Sequence, residues 1–366
     1  MTASIAIMLA PGSTIGILGG GQLGRMLALA AARLGFKCHI YAPEPDSPAF
    51  DVVRFATCAD YTDAVALENF ADEVDVVTYE FENVPAETAS LLSAHAPVLP
   101  DPKVLEITQD RLAEKNFITR LGIATAAYAD VTSEADLAAA LSRIGLPAVL
   151  KTRRFGYDGK GQAMLREASA AAAAFRELGG NPCILEAFVP FEREVSVIAA
   201  RNADGQIECF DVTENEHRDH ILKVSRAPAE IPESLASEAR AIARAIAEAF
   251  GYVGVMAVEM FVVPAPGGPT LAVNEIAPRV HNSGHWTLDG CAVSQFEQHV
   301  RAIAGWPLAP ARRHGRATMT NLIGDEVESH GQWLARPGAT VHLYGKTAAR
   351  PGRKMGHVTV IEPEKP

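Results

Sequence analysis

Two segments of this chain combine glycines with a helix start or with basic residues, a pattern that suits a phosphorylated ligand. Residues 19–24 (GGGQLG) lie between an apolar run typical of a buried strand and a run with helical periodicity. Backbone N–H groups at such a helix start attract an anion. A nicotinamide or flavin site would also need an acidic residue where the second strand ends, and there the chain has Tyr41-Ala42-Pro43 and only then Glu44. Three interpretations remain: a dinucleotide site, a site for another phosphorylated ligand, or a tight structural turn.

The second glycine-rich segment, residues 151–162 (KTRRFGYDGKGQ), carries the stronger signal. Lys151 ends an apolar run, and three glycines and three more cations follow before a strand pattern returns. Glycines let backbone N–H groups approach a polyphosphate, and cations stabilise the charge on it. The segment is not a Walker A motif, because no Gly-Lys-Ser/Thr leads into a helix. A flexible hairpin tip is the alternative, since lysine and glycine also suit solvent.

Two glutamates, Glu259 and Glu275, each interrupt an otherwise apolar run, and the two runs predict an antiparallel hairpin. Carboxylates at buried positions are costly unless a cation balances them. With Asn274 they form a hard oxygen-ligand set that suits Mg²⁺ bridging phosphates, and two buried ion pairs with arginines are the alternative. Residues 278–286 (PRVHNSGHW) follow directly and place Arg, His and Asn side chains within reach of whatever the metal holds.

Length and composition limit the classes of protein to which the chain can belong. The 366 residues suggest two or three domains, and a 48% hydrophobic content with a mean hydropathy of +0.06 excludes extended disorder. The formal net charge of -11 argues against nucleic acid or a membrane surface as partner and favours a small molecule. The five cysteines form no CxxC pair, so we expect reduced thiols. Without a basic signal-peptide start or a membrane-length apolar stretch, the chain is expected to be cytoplasmic.

The elements that must position these residues change in pattern along the chain. Up to residue 105, short apolar runs alternate with helical periodicity, which predicts a parallel sheet flanked by helices. Residues 80–83 (EFEN) follow one such run at the strand end where parallel sheets bind ligands. They are predicted either to accept sugar hydroxyls or to form an ordinary loop that caps the next helix. From Glu194 onward, hairpin patterns predict antiparallel strands, of which the first two, 194–201 and 206–214, flank an Asp204-Gly205 turn.

The order of these motifs resembles that of the N5-carboxyaminoimidazole ribonucleotide synthase family, ATP-grasp carboxylases of purine biosynthesis. The similarity extends from about Gly16 to His357 and is most specific at residues 274–286 and at 350–357 (RPGRKMGH). It implies a mixed α/β (α+β) ATP-grasp architecture and a homodimer. The implied domains are a Rossmann-like N-terminal domain similar to that of biotin carboxylase (1–105), a lid (106–190) and a C-terminal antiparallel domain (191–366) with a small β subdomain from about 312.

The resemblance implies that ATP binds between the lid and the C-terminal domain. The implied ATP-binding residues are Arg111, Lys151, Gly156, Tyr157, Asp158, Gly159, Lys160, Gly161, Gln162, Glu186, Ala187, Phe188, Val189, Glu194, His217, Asn274 and Glu275. Residues 186–189 would contact the adenine edge, Glu194 the ribose and Lys151 the phosphates. Glu259 and Glu275 would hold Mg²⁺, or Mn²⁺ in its place.

The resemblance also implies the reaction and its other substrates. ATP would phosphorylate bicarbonate to carboxyphosphate, whose carboxyl group would pass to the exocyclic amine of aminoimidazole ribonucleotide. Arg279, His281 and Asn282 would hold bicarbonate and, with Lys151, form the catalytic set. The implied ribonucleotide contacts are Gln22, Leu23, Glu80, Asn83, Tyr157, Asp158, Lys346, Arg353 and Lys354, with Lys346 and either Arg353 or Lys354 on the phosphate. The alternatives are another acyl-phosphate ligase, such as a formate-dependent glycinamide ribonucleotide formyltransferase or a biotin carboxylase, and, more remotely, an NAD-dependent oxidoreductase.

Overall fold

The described residues, 8–154, 156 and 160–363, form three sheets and the helices packed around them in this computed structural model. The helices are α1 (Gln22–Arg33), α2 (Ala64–Asp72), α3 (Ala86–Leu92), α4 (Pro102–Thr108), α5 (Arg111–Arg120), α6 (Glu134–Ile144), α7 (Ala171–Glu177), α8 (Glu233–Ala249), α9 (Thr287–Gly290), α10 (Gln295–Ile303) and α11 (His330–Leu334). The strands are β1 (Thr14–Leu18), β2 (Lys37–Ala42), β3 (Phe55–Cys58), β4 (Val76–Tyr79), β5 (Tyr128–Val131), β6 (Ala148–Thr152), β7 (Gln162–Leu165), β8 (Cys183–Ala187), β9 (Arg193–Arg201), β10 (Ile207–Cys209), β11 (Thr213–Arg218), β12 (Ile221–Ala227), β13 (Gly254–Val263), β14 (Thr270–Ala277), β15 (Gly315–Ile323), β16 (Ala339–Leu343) and β17 (Lys354–Pro363).

The first sheet is parallel, with the strand order β3-β2-β1-β4. Strands β1 and β4 are almost entirely apolar and buried, as expected of strands covered on both faces. Helix α1 follows β1 directly, so the GGGQLG turn lies at the carboxyl edge of the sheet beside the end of β4. The parallel sheet predicted for this part of the chain is therefore confirmed.

The second sheet is antiparallel, in the order β5-β8-β6-β7, and belongs to the region predicted to form the lid. Local sequence fixes α6, because the Ser133 side chain accepts the Asp136 N–H at its start and Gly145, with φ of +87°, ends it. Helices α6 and α7 pack on this sheet in a hydrophobic cluster of their own. The glycine-rich segment connects β6 to β7, which form a hairpin.

The third sheet is antiparallel and has the strand order β14-β13-β9-β11-β12-β15-β17-β16, with β10 paired to β9. The predicted hairpin of β13 and β14 is confirmed. The strand expected after the Asp204-Gly205 turn is split into β10 and β11, which pair with successive parts of β9. Strands β15 to β17 extend this large sheet through the β12–β15 pairing.

The core joins the parallel sheet to the large antiparallel sheet. Helix α1 packs against α10, and buried residues of α1, β1, β9, β13 and α10 share one hydrophobic cluster. The amphipathic helix α8 contributes to a second cluster with β9 and β13. This continuity holds the end of β4 near the end of β14, where the candidate site lies. Within the described ranges, no helix has the length and apolar character needed to cross a bilayer.

Candidate functional site

The GGGQLG turn binds a carboxylate of the chain itself. Glu80, which follows β4, is 7% exposed and accepts the N–H groups of Gly21 and Gly24, the latter at 2.6 Å. A Cβ atom on Gly19 would lie 2.2 Å from Cγ of Glu80. Burial raises the pKa of Glu80 although these two N–H groups oppose the shift. The glycines thus allow a close approach between the turn and Glu80.

The two predicted metal-binding glutamates lie directly opposite each other on β13 and β14. Each also has a nitrogen partner: Nε2 of His281 lies 3.0 Å from Oε1 of Glu259, and Nη1 of Arg111 lies 3.3 Å from Oε2 of Glu275. Only one of these partners is an arginine, so the alternative of two arginine pairs describes Glu275 alone. Burial would raise the pKa of Glu259, but His281, His217 and Arg279 together outweigh it and lower this pKa to about 2.

The donor set fits a cation that phosphates also ligate. Two carboxylates on adjacent strands, one of them held ionised, suit Mg²⁺, which typically takes one or two protein carboxylates plus phosphate oxygens and waters. Among the described residues, no group of three or more His, Cys, Asp or Glu side chains is arranged to hold a metal ion. A cation here would therefore need oxygens from the nucleotide.

The segment that follows β14 brings the three predicted bicarbonate ligands together. The guanidinium of Arg279 forms a bidentate pair with Glu82, in which Nη2 lies 3.0 Å from Oε1, and it donates to the Val280 carbonyl at 3.1 Å. Burial would raise the pKa of Glu82, but Arg279 outweighs this effect and lowers it to about 2. The EFEN segment thus joins the end of β4 to the end of β14. The helix-capping alternative for this segment is wrong, because α3 starts after Pro85 without a side-chain cap.

His281 and Asn282 are held by side chains that sequence reasoning missed. The amide of Gln295, fully buried at the start of α10, accepts the His281 N–H at 2.9 Å and donates to its carbonyl at 2.7 Å. Asn282 exchanges hydrogen bonds with the buried Asn321 of β15, which also donates to the Leu222 carbonyl at 2.9 Å. These partners are 14 and 39 residues away. Local patterns therefore carried no signal for them.

A buried charge cluster marks the predicted adenine side of the nucleotide site. Oε2 of Glu186, on β8, accepts from Nζ of Lys151 at 2.9 Å, and Nζ of Lys115 lies 3.8 Å from the same oxygen. Its other oxygen, Oε1, is buried without a hydrogen-bond partner among the described residues. Burial would raise the pKa of Glu186, but Lys115 and Lys151 lower it overall. An ionised carboxylate with a free buried oxygen is suited to accept a hydrogen bond from an amino group.

Lys115 and Glu114 of α5 connect this cluster to the metal side of the site. Nζ of Lys115 donates to the Asn274 carbonyl at 2.5 Å, and Oε1 of Glu114 accepts the Ile276 N–H at 2.8 Å. Burial raises the pKa of Glu114 to about 8 despite the opposing charge of Lys115. Glu114 had no place among the predicted site residues, yet it fixes the strand that carries Asn274 and Glu275.

Two further predicted nucleotide ligands, Glu194 and His217, line a cavity of about 580 Å³ on the large sheet. Nδ1 of His217 lies 3.1 Å from Oε2 of Glu194, and this carboxylate raises the pKa of His217 above its ordinary value although burial opposes it. Of the predicted adenine-edge residues, Ala187 ends β8, while Phe188 (43% exposed) and Val189 follow it.

The described part of the glycine-rich segment is attached to α5. Nη2 of Arg111 donates to the Gly156 carbonyl at 2.9 Å, and the Thr152 N–H donates to the Gly161 carbonyl at 2.8 Å. Asp110, which caps α5, accepts from Nη2 of Arg153 at 2.7 Å. Gln162 begins β7, and Lys160 lies two residues before it. The predicted site residues Tyr157, Asp158 and Gly159 lie outside the described residues.

The predicted phosphate ligands of the ribonucleotide lie close together at the start of β17. Nζ of Lys346 donates to the Lys354 carbonyl at 2.7 Å, and Arg353 donates to the Ala348 carbonyl at 2.9 Å. Burial lowers the pKa of Lys346 to about 8, with the charge of Arg353 adding to the effect and Glu80 opposing it. Because Glu80, which is bound to the GGGQLG turn, acts electrostatically on Lys346, this cationic group faces the turn. Gln22 and Leu23 begin α1, and Asn83 is exposed after Glu82.

Three family models match successive parts of the chain. They describe a ribonucleotide synthetase preATP-grasp domain (residues 12–109), an ATP-grasp domain (116–296) and a phosphoribosylaminoimidazole carboxylase C-terminal domain (317–366). The chain is 52% identical to the N5-carboxyaminoimidazole ribonucleotide synthase of Brucella melitensis over 97% of this chain and 98% of that protein.

Solved structures agree with these matches. The fold is similar to that of an N5-carboxyaminoimidazole ribonucleotide synthetase in complex with ADP, with a TM-score of 0.93, 42% identity, and 99% of this chain and 94% of that chain covered. It is also similar to N5-carboxyaminoimidazole synthase from Aspergillus clavatus in complex with ADP and 5-aminoimidazole ribonucleotide, with a TM-score of 0.89, 31% identity, and 96% and 94% covered.

The fold and the site together define an ATP-grasp enzyme, an ATP-dependent ligase. The predicted fold class is confirmed. Within that class, the chain belongs to the N5-carboxyaminoimidazole ribonucleotide synthase family. The predicted family is therefore confirmed, and the formyltransferase, biotin carboxylase and oxidoreductase alternatives are set aside.

Proposed function

We propose that this chain carboxylates 5-aminoimidazole ribonucleotide with bicarbonate and ATP, forming N5-carboxyaminoimidazole ribonucleotide, ADP and phosphate in purine biosynthesis. Family membership supports the reaction. The observation that carries the site assignment is Arg279, which follows the strand of Glu275 and pairs with Glu82 at the end of β4. A substrate held by Arg279 would lie between the ATP side of the site and the ribonucleotide side. Bicarbonate is the substrate that must meet both.

The nucleotide is proposed to bind between the second and third sheets. Glu186 presents a free carboxylate oxygen for the adenine amino group, Glu194 and His217 lie where the ribose would reach the large sheet, and Lys151 and Arg111 supply positive charge. Glu259 and Glu275 would hold Mg²⁺, or Mn²⁺ in its place. When bound, the cation would neutralise charge on the transferred phosphate.

Arg279 and Asn282 are proposed to donate directly to bicarbonate and to the carboxyphosphate formed from it. A guanidinium has five N–H groups, and three of those on Arg279 donate to Glu82 and Val280 in the described part of the chain. Two N–H groups are thus left for a ligand. One N–H of the Asn282 amide donates to Asn321, so the other is also left for bicarbonate. Charge-assisted hydrogen bonds of this kind stabilise an anion that develops during phosphoryl transfer.

The ribonucleotide is proposed to lie along the carboxyl edge of the parallel sheet. Lys346, with Arg353 or Lys354, would hold its phosphate, and Gln22, Leu23, Glu80 and Asn83 would contact the sugar and base. Tyr157 and Asp158 would face the imidazole when the lid closes, and closure would exclude water from the labile mixed anhydride. A homodimer and domain boundaries at residues 105, 190 and about 312 stay predictions.

The test is ADP release from MgATP with aminoimidazole ribonucleotide, with and without labelled bicarbonate. We expect the ribonucleotide to stimulate ADP release and the label to appear in an acid-labile carbamate. Glycinamide ribonucleotide with formate serves as the comparison substrate pair and should give no stimulation. Stimulation by that pair alone would overturn the proposed substrate while leaving the nucleotide site in place.

A further inference from the structure

We propose that Asn215, Ser196 and Ser283 form a one-way hydrogen-bond chain that fixes the ring of His281, making His281 a positioning residue for Glu259. The inference deepens the proposed function and rests on it, because Glu259 matters there as a ligand of the cation that meets the nucleotide. Asn215, Ser196 and Ser283 were not among the predicted site residues.

The chain is continuous and closed to solvent. The Asn215 amide donates to Oγ of Ser196 at 2.9 Å, and Ser196 donates to Oγ of Ser283 at 2.8 Å. Oγ of Ser283 lies 2.9 Å from Nδ1 of His281, whose Nε2 lies 3.0 Å from Glu259. Ser196 and Ser283 are 0% exposed and Asn215 is 8% exposed. At the far end from His281, Oγ of Ser225 donates to Oδ1 of the Asn215 side-chain amide at 2.8 Å.

The direction of the chain follows from its end at Glu259. A carboxylate only accepts, so Nε2 of His281 must carry the hydrogen, and Nδ1 of the neutral ring must then accept from Ser283. A hydroxyl has one hydrogen, so Ser283 can only accept from Ser196, and Ser196 in turn can only accept from the next residue. That residue must present a donor to Ser196 and an acceptor to Ser225. An amide does both, which explains an asparagine at position 215.

The sheet places these groups in one polar row. Ser196 of β9 lies directly opposite Glu259 of β13, and Asn215 of β11 lies directly opposite Ser225 of β12. Residues in register across neighbouring strands project from the same face. The segment 281–286 covers that face, held by the two hydrogen bonds of Gln295 to the His281 backbone and by the hydrogen bond from Nε1 of Trp286 to Thr213 at 3.0 Å.

It follows that the polar residues after β14 have different roles. Both ring nitrogens of His281 are engaged, one with Glu259 and one with Ser283, so the ring has no N–H left for bicarbonate. His281 therefore acts through Glu259, as side chains beyond the ligands commonly orient a metal-binding carboxylate. Arg279 and Asn282 are left as the direct donors to bicarbonate.

The direction can be tested by ¹⁵N NMR of the histidine side chains in the full chain at mildly alkaline pH, with the His281 signal assigned by its loss in His281→Gln. We expect an Nε2–H tautomer with a hydrogen-bonded Nδ1. Ser283→Ala removes the hydroxyl and leaves Nδ1 only the long hydrogen bond, 3.4 Å, from the backbone N–H of residue 283, so the Nδ1 signal should shift towards that of a weakly hydrogen-bonded nitrogen. Asn215→Asp, in its ionised form, presents only acceptors, so Ser196 and Ser283 must reverse, and the same shift should appear at Nδ1 of His281, three hydrogen bonds away from the substitution.

Two matched control variants distinguish a reversal of the hydrogen bonds from a general disturbance of the structure by substitution. Asn215→Leu removes the amide without forcing a reversal, so Ser283 should still donate and the Nδ1 signal should stay. Thr359→Val removes a fully buried hydroxyl that takes no part in these hydrogen bonds, and it should leave the Nδ1 signal of His281 unchanged. An Nδ1 signal that is unmoved in Asn215→Asp, or equally moved in Asn215→Leu, overturns the one-way chain.

Kinetics test the role of His281 separately from the NMR. In Ser283→Ala we expect the Mg²⁺ concentration for half-maximal activity to rise about tenfold while KM for bicarbonate stays unchanged, since only Glu259 is disturbed. A tenfold rise in KM for bicarbonate at unchanged Mg²⁺ dependence would instead make His281 a direct substrate ligand. If the wild-type protein releases no ADP with the ribonucleotide, the proposed function fails. The NMR result still shows whether the hydrogen bonds from Asn215 to His281 run in the proposed direction.

Discussion

Glu80 accepts the N–H of Gly24 at 2.6 Å, so a side chain from the end of β4 occupies the anion-binding start of α1. The amides of a helix start attract an anion of any kind, and the nearest one here is a carboxylate of the protein. Glycines at positions 19 and 21 make room for it. The turn therefore connects the two chain segments that are proposed to flank the ribonucleotide.

Gly24→Ala should destabilise the protein. The new Cβ would lie 2.6 Å from the backbone carbonyl oxygen of Gly19, which cannot move without opening the turn. Overpacking of this kind costs about 1–3 kcal/mol, measurable as a lower urea midpoint. The matched control is Gly331→Ala in α11, where nothing lies within 4 Å of the new atom and helix propensity favours alanine by roughly 0.5–1 kcal/mol. Equal effects at the two positions would contradict the close approach.

Glu275→Gln should reduce turnover by about 100-fold, because a neutral amide is a weaker ligand for a divalent cation and no longer balances Arg111. The urea midpoint should change little, since the Glu275 side chain is 41% exposed. ADP release is measured over a range of Mg²⁺ concentrations. Glu230→Gln, at an exposed ion pair with Arg316, is the control and should keep wild-type activity. Full activity of Glu275→Gln at saturating Mg²⁺ would remove Glu275 from the metal site.

Arg279→Ala should abolish carboxylation while KM for ATP stays near its wild-type value. It should also lower the free energy of unfolding by about 1–3 kcal/mol, less than for a fully buried pair because 31% of the Glu82 side chain is exposed. Adding Glu82→Ala removes the uncompensated carboxylate and should recover most of this stability without restoring carboxylation. A parallel loss of ATP binding would place Arg279 in the nucleotide site.

The same ion pair predicts a dependence of stability on pH. The pKa of Glu82 is lowered from 4.5 to about 2, so its contribution to stability is present above pH 4.5 and is lost as the pH falls towards 2. Unfolding free energies measured across this range should therefore decline less steeply in Glu82→Ala than in the wild type. Identical slopes would show that Arg279 does not stabilise the ionised carboxylate.

Lys346→Arg should change the pH dependence of ribonucleotide binding. Because the pKa of Lys346 is about 8, its positive charge is lost as the pH rises through that value, and KM for the ribonucleotide should rise in the wild type. A guanidinium stays charged, so KM in Lys346→Arg should remain level over the same range. Lys103→Arg, at an exposed position, is the control and should keep the wild-type profile. A wild-type profile in Lys346→Arg would place the titrating group elsewhere.

Much of the fold could be predicted because its signals are local. β1 and β4 are apolar runs, α6 begins at a serine cap and ends at a glycine, and the β13–β14 hairpin carries Glu259 opposite Glu275. The long predicted strand after Gly205 is wrong in its extent, since the chain leaves β9 and returns to it between β10 and β11. That break depends on pairing with β9 and has no strong local signal.

The sequence alone determined the chemical types of the site residues, because carboxylates, guanidinium groups and glycines at fixed spacing permit few functions. Only the tertiary structure decided their partners. Gln295 on His281, Asn321 on Asn282 and Glu82 on Arg279 are hydrogen bonds between positions 14 to 197 residues apart. A polar side chain looks the same in sequence whether it faces solvent or a ligand residue on another strand. Its role is set by the groups that the folded sheets bring within about 3 Å of it, the distance at which a hydrogen bond forms.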